Sequence, residues 1–176
     1  MNKDEQAELV LLLKKLQPGF QPYEVFEQLA RLTVLSIIEF VPLRMSETGE
    51  IEVLLLERGD DAPIWPGEVH TPGTVIRPGD NAQNTYLAFD RILNDELQGT
   101  TFSNPHFVGS ILHESKRGPE HAQVYWVEPK EQTRVGKWHN VDSLPDNLIK
   151  SQEKFIRASV DNYKKAKKTK SDLNPL

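Results

Sequence analysis

"PGTVIRPGDNAQNTYLAFDRILNDELQG", residues 72–99, decides the fold of this 176-residue chain. It begins as a glycine-containing turn, and residues 82–97 then place apolar side chains at the spacing of a helix. Gly99 is suited to end that helix, because glycine readily adopts the left-handed conformation found after helices. Two adjacent carboxylates, Asp95 and Glu96, lie at the predicted helix end, where they oppose the helix dipole. Their position therefore needs a reason, and two interpretations are open, a metal site and a pair of solvated charges at a helix end.

The composition is that of an ordinary globular domain, with 38% hydrophobic and 27% charged residues. The net charge of −5 predicts no general attraction to nucleic acid or to an anionic membrane surface. The absence of cysteine excludes disulfides, thiolate metal sites and cysteine nucleophiles. The apolar runs are too short to span a bilayer and the N-terminus is unlike a secretory signal, so a cytoplasmic protein is expected.

Strand patterns occupy the middle of the chain on both sides of the predicted helix. Residues 32–44 and 50–58 alternate with period two around a glycine turn, which predicts a β-hairpin. Further strands are predicted at residues 106–114 and 121–129, joined by the charged loop "SKRGPE", and a short strand and turn at residues 136–145.

Helical patterns occupy both ends of the chain. Residues 4–16 and 23–31 predict two short helices, and the first has a leucine stripe that is expected to pack on the core or on a twin subunit. The stripe consists of Leu9, Leu12, Leu13 and Leu16. A closing amphipathic helix is predicted at about residues 147–166.

These elements predict three parts of the chain. They are an N-terminal helical extension at residues 1–31, a domain at residues 32–168 and a flexible tail at residues 169–176. Mixed strands with one helix between them and another after them predict an α/β (α+β) sandwich.

The order of the parts resembles the Nudix hydrolase family. The family pattern has a strand ending in LLL-x-R, a loop tryptophan, PGG, and the box G-x5-E-x7-R-E-U-x-E-E-x-G-U, in which U is aliphatic. The matching segments are "LLLER" at residues 54–58, Trp65, Pro72-Gly73 and "RILNDELQG" at residues 91–99. The resemblance covers about residues 32–160 and implies a Nudix-like α/β/α sandwich with a central mixed sheet.

The box, at residues 74–99, departs from the pattern at several positions. Thr74 replaces the first glycine, and Ile92 replaces the glutamate that follows the box arginine. Asp80 takes the place of the first glutamate, and three residues are inserted before Arg91, since 91 − 80 = 11 against 8 in the pattern. The box is therefore degenerate.

The resemblance implies a divalent metal, Mg²⁺ or Mn²⁺, held by the box carboxylates. Helix positions i, i+3 and i+4 share a face, which in this chain would carry Ile92, Asp95 and Glu96. Two carboxylates can hold one hydrated Mg²⁺, so a weak single site is expected, with Asp80 and Arg91 in support. Replacing Ile92 with glutamate would, on this interpretation, restore the missing ligand.

The resemblance also assigns catalytic and substrate-binding roles, each with a plainer alternative. The candidate catalytic residues are Glu96, Glu114 and Glu120, and the candidate substrate-binding residues are Arg58, Trp65, His70 and Arg91. Glu114 and Glu120 could equally be charges at a hairpin tip, His70 a surface residue and Trp65 a packing residue.

Two functions remain open at this point. The first is a metal-dependent hydrolase that cleaves the phosphoanhydride of a nucleoside diphosphate linked to another moiety, and the leucine-rich N-terminal helix would suit a homodimer. The alternative is a Nudix-fold binding module that has lost catalysis and senses a nucleotide or scaffolds a protein. Ile92 and the insertion favour the module, whereas the retained acidic pair favours the enzyme.

Overall fold

The computed structural model describes residues 1–80 and 86–172. The helices are α1 (Lys3–Leu13), α2 (Tyr23–Leu32), α3 (Tyr86–Arg91), which continues as a π-helical turn (Ile92–Glu96), and α4 (Gln152–Asp172). The strands are β1 (Leu35–Met45), β2 (Ile51–Glu57), β3 (Val69–His70), β4 (Gly73–Val75), β5 (His106–Ser115), β6 (Gly118–Val127) and β7 (Lys137–Asn140).

The strands form one mixed sheet in the order β3-β2-β1-β6-β5, with β4 paired to β1 and β7 paired to β2. Strands β1 and β6 are parallel, and the other pairs are antiparallel. The predicted hairpin is confirmed by the register of β1 and β2, in which Leu43 lies opposite Val53. The central mixed sheet predicted from the sequence is therefore confirmed.

A helix covers each face of the sheet. Side chains along β1 alternate between the two faces, so β1 contributes apolar residues to a core on each side. Ile37 and Val41 point towards α4 and pack in a core cluster with Phe155 of that helix. Ile38 points to the opposite face, where it packs in a second cluster with Ile92 of the π-helical turn. This arrangement is the α/β/α sandwich.

The N-terminal helix α1 does not pack against this core. A capping box begins it, in which the Asn2 side chain accepts from the backbone N–H of Glu5 and the Glu5 carboxylate accepts from that of Asn2. None of its residues is buried, and Leu9, Leu12 and Leu13 are 40%, 51% and 46% exposed. Leu9, Leu12 and Leu13 therefore do not pack on the core, whereas Leu16, which follows the helix, is partly buried. Packing of the stripe on a twin subunit stays a prediction.

The β5–β6 loop and helix α4 differ from the sequence-based expectation. The loop between β5 and β6 is a tight turn, because Ser115 pairs with Gly118 and strand β6 already includes Glu120. Helix α4 continues to Asp172, inside the range predicted as a tail. The predicted start of the box helix at residues 82–85 and the last four residues of the tail lie outside the described part of the chain. Within that part, no helix has the length and apolar character needed to cross a membrane.

Candidate ligand-binding site

A cleft of about 830 Å³ opens beside β1 and β4, and we call it the main cleft. Its walls come from the segment between α1 and α2, helix α2, the loop before β3, strand β4 and the start of α4. Its titratable lining side chains include Glu39, Arg58, His70, Glu96, Arg117 and Glu120. The structure thus brings five sequence-predicted site residues to one cleft, namely Arg58, Trp65, His70, Glu96 and Glu120.

Glu96 reaches the main cleft from the end of the π-helical turn. Its Oε2 accepts a hydrogen bond of 3.0 Å from the backbone N–H of Gly73, the first residue of β4. Burial raises the pKa of Glu96 to about 7, and the charge of Asp95 acts in the same direction against the Gly73 N–H and Arg58. Glu96 therefore changes its protonation state close to neutral pH.

Asp95 is exposed, whereas Glu96 is half-buried. Side chains of adjacent helical residues point in different directions, so the acidic pair does not converge as a pair. Only Glu96 of the two lines the main cleft.

Asp80 and Arg91 form a bidentate ion pair, and neither of them lines the main cleft. Arg91 Nη1 donates to Asp80 Oδ1 at 2.8 Å, and Nη2 donates to Oδ2 at 2.6 Å. The hydrogen bonds from Arg91 are the main reason that the pKa of Asp80 lies below its ordinary value. The pair ties the turn after β4 to helix α3, which is the supporting arrangement expected from the resemblance. Both carboxylate oxygens of Asp80 are thereby bound to the Arg91 guanidinium.

Ile92 lies in the core and not on the face of Glu96, which corrects the expectation from helical spacing. Its side chain is fully buried among Ile38, Phe40 and Leu54. The rule for positions i, i+3 and i+4 belongs to an α-helix, whereas here the N–H of Leu97 donates to the carbonyl of Ile92, five residues back, at 3.0 Å. A glutamate at position 92 would therefore enter the hydrophobic core and add no ligand.

The π-helical turn also explains the spacing of the box. In the Nudix pattern the last glycine follows the arginine by seven positions, whereas here the separation is 99 − 91 = 8. A turn closed at i→i+5 takes one more residue than a turn closed at i→i+4. Gly99 adopts φ 71° and donates to the carbonyl of Leu93 at 2.8 Å, so it occupies the left-handed position that ends the helix.

The donor set does not fit a metal cluster held by several carboxylates. Within residues 1–80 and 86–172, no group of three or more acidic or histidine side chains is placed to hold a metal ion. Residues 81–85 read "NAQNT" and supply neither a carboxylate nor an imidazole. Asp80 is paired with Arg91, Asp95 is exposed and Ile92 is in the core. The Asp95, Glu96 and Asp80 site therefore stays a prediction that this geometry does not favour.

Glu120 lines the main cleft, but both of its carboxylate oxygens already contact neighbouring side chains. Its Oε1 accepts from Arg117 Nη2 at 2.6 Å, and its Oε2 lies 3.2 Å from His113 Nε2. Burial would raise the pKa of Glu120, but the His113 hydrogen bond and the Arg117 charge outweigh burial and lower it. Glu120 is therefore better suited to position Arg117 than to act as a general base. Glu114, the other candidate base, is exposed on β5 and does not line the main cleft.

Arg58 extends into the main cleft from the end of β2. Its Nε donates to the carbonyl of Ile64 at 2.9 Å, while its two terminal nitrogens make no hydrogen bond within the described residues. Burial is the main cause that lowers the pKa of Arg58, and the like charge of Arg117 is the second. The guanidinium groups of Arg58 and Arg117 lie 5.9 Å and 5.3 Å from the centroid of the Trp65 ring. Since Trp65 is only 7% exposed, it acts chiefly as a packing surface for these two cations.

His70 is neutral at physiological pH. Burial lowers its pKa to about 4, and the nearby Arg58 charge acts in the same direction. Its Nδ1 lies 2.8 Å from the carbonyl oxygen of Thr71, to which it donates in the neutral ring. His70 therefore offers Nε2 as a hydrogen-bond acceptor.

Glu39 is a site residue that the sequence interpretation missed. It is 5% exposed, and its Oε2 contacts the Thr71 hydroxyl at 2.9 Å, while its Oε1 accepts from Gln152 Nε2 at 3.3 Å. Burial raises the pKa of Glu39 to about 8, so it carries its proton at neutral pH. The single carboxylate inside the apolar strand segment "IIEFV" was the signal that could have identified it.

Solved structures similar to this one share its fold. No protein-family model and no curated protein sequence matches the chain. The NUDIX domain of Shewanella oneidensis NrtR, solved with ADP ribose, is 15% identical with a TM-score of 0.55, and the match covers 93% of this chain and 99% of that domain. A MutT NUDIX hydrolase from Burkholderia pseudomallei is 19% identical with a TM-score of 0.56, over 72% of this chain and 98% of that protein.

A third similar structure comes from a protein complex. The C-terminal domain of mouse MUTYH, solved with human PCNA, is 17% identical with a TM-score of 0.58, over 74% of this chain and 90% of that domain. At these sequence identities the similarity shows the fold alone, and the activity has to be inferred from the residues of the site. The chain therefore has the Nudix fold.

Proposed function

We propose that this chain is a Nudix-fold binding module that takes a nucleoside diphosphate-type ligand in the main cleft. One observation carries the proposal. Arg58 is a partly buried guanidinium whose terminal nitrogens have no partner within the described residues, and Arg117 adds a second positive charge nearby. Glu96 supplies a counter-charge nearby, but a partly buried guanidinium whose terminal N–H groups lack acceptors is still costly, so an anion such as a diphosphate would complete this site.

The remaining walls suit the nucleoside. Apolar side chains from α2, β1 and the segment before α4 line the cleft, and they include Phe26, Leu29, Leu35, Ile37 and Ile149. Small-molecule sites typically combine such an apolar lining with a few polar groups that fix orientation. The solved complex of the NrtR NUDIX domain with ADP ribose supports a ligand of this chemical class in the same fold.

Hydrolysis of the phosphoanhydride is the second candidate, and Glu96 favours it. A carboxylate whose pKa lies near 7 is well suited to accept a proton from an attacking water at neutral pH. Against this candidate stands the donor set, which does not fit the carboxylate cluster that would hold Mg²⁺ or Mn²⁺.

Calorimetric titration with ADP, UDP and GDP and their sugar conjugates tests binding. We expect Arg58→Ala to weaken binding about tenfold or more, because it removes charge-assisted hydrogen bonds. Arg31→Ala, an exposed arginine on α2, is the matched control and leaves affinity unchanged. Equal affinity of wild type and Arg58→Ala for every ligand would overturn the proposal.

Product analysis separates the two candidates. Wild type and Glu96→Gln are incubated with each bound conjugate, with and without Mg²⁺ or Mn²⁺, and nucleoside monophosphate is measured by chromatography. The binding module yields no product in any condition. Turnover that depends on the metal and is lost in Glu96→Gln would establish the hydrolase.

A further inference from the structure

Strand β5 forms an edge of the sheet. It pairs with β6 and stands last in the strand order β3-β2-β1-β6-β5. Within the described part of the chain, no backbone hydrogen bond joins the other side of β5 to a further segment. A strand edge of this kind presents N–H and C=O groups to which another strand can bind.

Pro119 shows which backbone groups of β5 face this open edge. It lies opposite Glu114 and has no N–H, so these two residues cannot exchange both hydrogen bonds of an antiparallel pair. Hydrogen-bonded and non-hydrogen-bonded pairs alternate along the ladder, so the backbone groups of Ser110, Leu112 and Glu114 point away from β6. The carbonyl of Glu114 lies 3.3 Å from His113 Nδ1, and a carbonyl oxygen can accept a second hydrogen bond.

The part of β5 at residues 109–115 has few of the features that keep an edge strand from pairing. It contains neither lysine nor proline, and its single carboxylate, Glu114, lies near its end. The bulge between Phe107 and Gly109 is confined to the start of β5, so the register with β6 is regular from Gly109 to Ser115. Leu112, in the middle of this part, is 69% exposed. This edge is therefore suited to bind another strand.

A second, antiparallel copy of β5 centred on Leu112 pairs all three outward-facing residues. Two-fold symmetry places Leu112 opposite the partner's Leu112, and Ser110 opposite the partner's Glu114. Centring the pair on Ile111 or His113 instead would pair only two of the three. The spacing of the outward-facing groups thus matches a copy of the same strand.

The side chains are also self-complementary in this register. The Ser110 hydroxyl can donate to the partner's Glu114 carboxylate, and symmetry repeats this contact. The two exposed Leu112 side chains meet at the axis and remove apolar surface from water. Lys116 lies opposite the partner's Val108, so no charged side chain faces a like charge.

We propose that the open edge of β5 binds β5 of a second copy of this chain in this register, so that the two sheets join into one. This interface lies on β5 and is separate from helix α1. It requires no ligand in the main cleft and is independent of the proposed function.

Charge changes across the symmetry axis test the register by sedimentation equilibrium of the full chain. Ser110→Glu places a glutamate opposite the partner's Glu114 at two symmetric positions, and we expect it to weaken the dimer about tenfold or more. Adding Glu114→Lys to this variant gives each facing pair opposite charges and should restore the dimer. Ser143→Glu adds the same charge at an exposed serine outside β5 and is the matched control.

Hydrogen exchange measured by NMR identifies the strand edge directly. The amide protons of Ser110, Leu112 and Glu114 should exchange more slowly as the protein concentration rises, because the partner strand protects them. Those of Ile111 and His113 bind β6 in monomer and dimer alike, so their exchange should not depend on concentration. In Ser110→Glu the concentration dependence should shift to higher concentrations.

Three results would overturn the proposal. The first is a wild-type chain that is monomeric at every concentration measured. The second is a dimer that Ser110→Glu and Ser143→Glu affect equally, and its loss on removal of residues 1–14 would then place the interface on α1. The third is a dimer that Ser110→Glu weakens but the added Glu114→Lys does not restore, since the register requires these two positions to face each other.

Discussion

The backbone N–H of Gly73 donates to Glu96 Oε2 at 3.0 Å, and this contact joins strand β4 to the end of the π-helical turn. Gly73 also lies against a second carboxyl group, since a Cβ atom on Gly73 would be 2.8 Å from Glu39 Oε2 and 2.9 Å from the carbonyl oxygen of Ile38. Glycine is therefore required here by space.

Gly73→Ala should destabilise the protein by about 1–3 kcal/mol, because the methyl group overpacks a site bounded partly by backbone. It should also weaken ligand binding by displacing Glu96. Gly109→Ala is the control, since a Cβ atom there meets nothing within 4 Å. Urea unfolding of both variants measures the difference, and equal free energies of unfolding would contradict the close approach.

Ile92→Glu should lower the free energy of unfolding by at least about 3 kcal/mol and should not create a metal site, because it buries a charge without a partner. Ile92→Val, which keeps the site apolar, should cost only about 1 kcal/mol. Urea unfolding and calorimetric titration with Mn²⁺ check both statements. A stable Ile92→Glu variant that gains Mn²⁺ affinity would contradict the placement of Ile92 in the core.

The two raised carboxyl pKa values predict a stability that falls as pH increases. The folded state holds protons on Glu96 up to about pH 7 and on Glu39 up to about pH 8, whereas both groups have an ordinary pKa of 4.5. The stabilisation is complete below pH 4.5 and is lost as pH rises through 7 and 8. Glu39→Gln keeps the shape and removes the upper titration, so its unfolding free energy should depend less on pH between about 4.5 and 8. An unchanged pH dependence would exclude Glu39 as its source.

The ion pair of Asp80 and Arg91 predicts the opposite pH dependence at the acidic end. Because the folded-state pKa of Asp80 is lowered from 3.8, its contribution is present above that value and is lost as pH falls through the folded-state pKa. Asp80→Asn should cost about 2 kcal/mol at pH 7, since the Asp80 side chain is only 4% exposed.

Glu153→Gln provides the comparison for Asp80→Asn. It breaks the exposed ion pair of Glu153 and Arg157 on α4 and should cost less than about 0.5 kcal/mol. A double-mutant cycle of Asp80→Asn with Arg91→Gln isolates the coupling energy. A coupling energy near zero would show that the contact does not stabilise the fold.

Removal of residues 1–14 should leave the melting temperature nearly unchanged, because no residue of helix α1 is buried. The exposed leucines of α1 can still serve a twin subunit, so the solution mass is measured together with the melting temperature. A fall in mass on truncation would identify α1 as a dimer arm. A large loss of melting temperature without a change of mass would contradict its isolation from the core.

Local patterns of the sequence determined the type and order of the main elements. Period-two alternation predicted the hairpin of β1 and β2, and helical spacing predicted α2 and α4, because both patterns follow from which side chains face the core. The box segment predicted the Nudix fold, which the solved structures share. The family resemblance also named Arg58 and Glu96 as site residues, and both line the main cleft.

The tertiary structure alone decided which side chains meet in the cleft. Glu39, Thr71 and Gln152 are distant in sequence, so no local pattern relates them, and only the packing of β1 against the start of α4 brings them into contact. The π-helical turn decided that the Ile92 side chain points into the core. The sequence-based expectation had assumed the i→i+4 hydrogen bonds of an α-helix, whereas this turn has an i→i+5 hydrogen bond. The tertiary structure also decided that the terminal nitrogens of Arg58 can bind a ligand. Whether a guanidinium already has hydrogen-bond partners depends on which elements fold beside it.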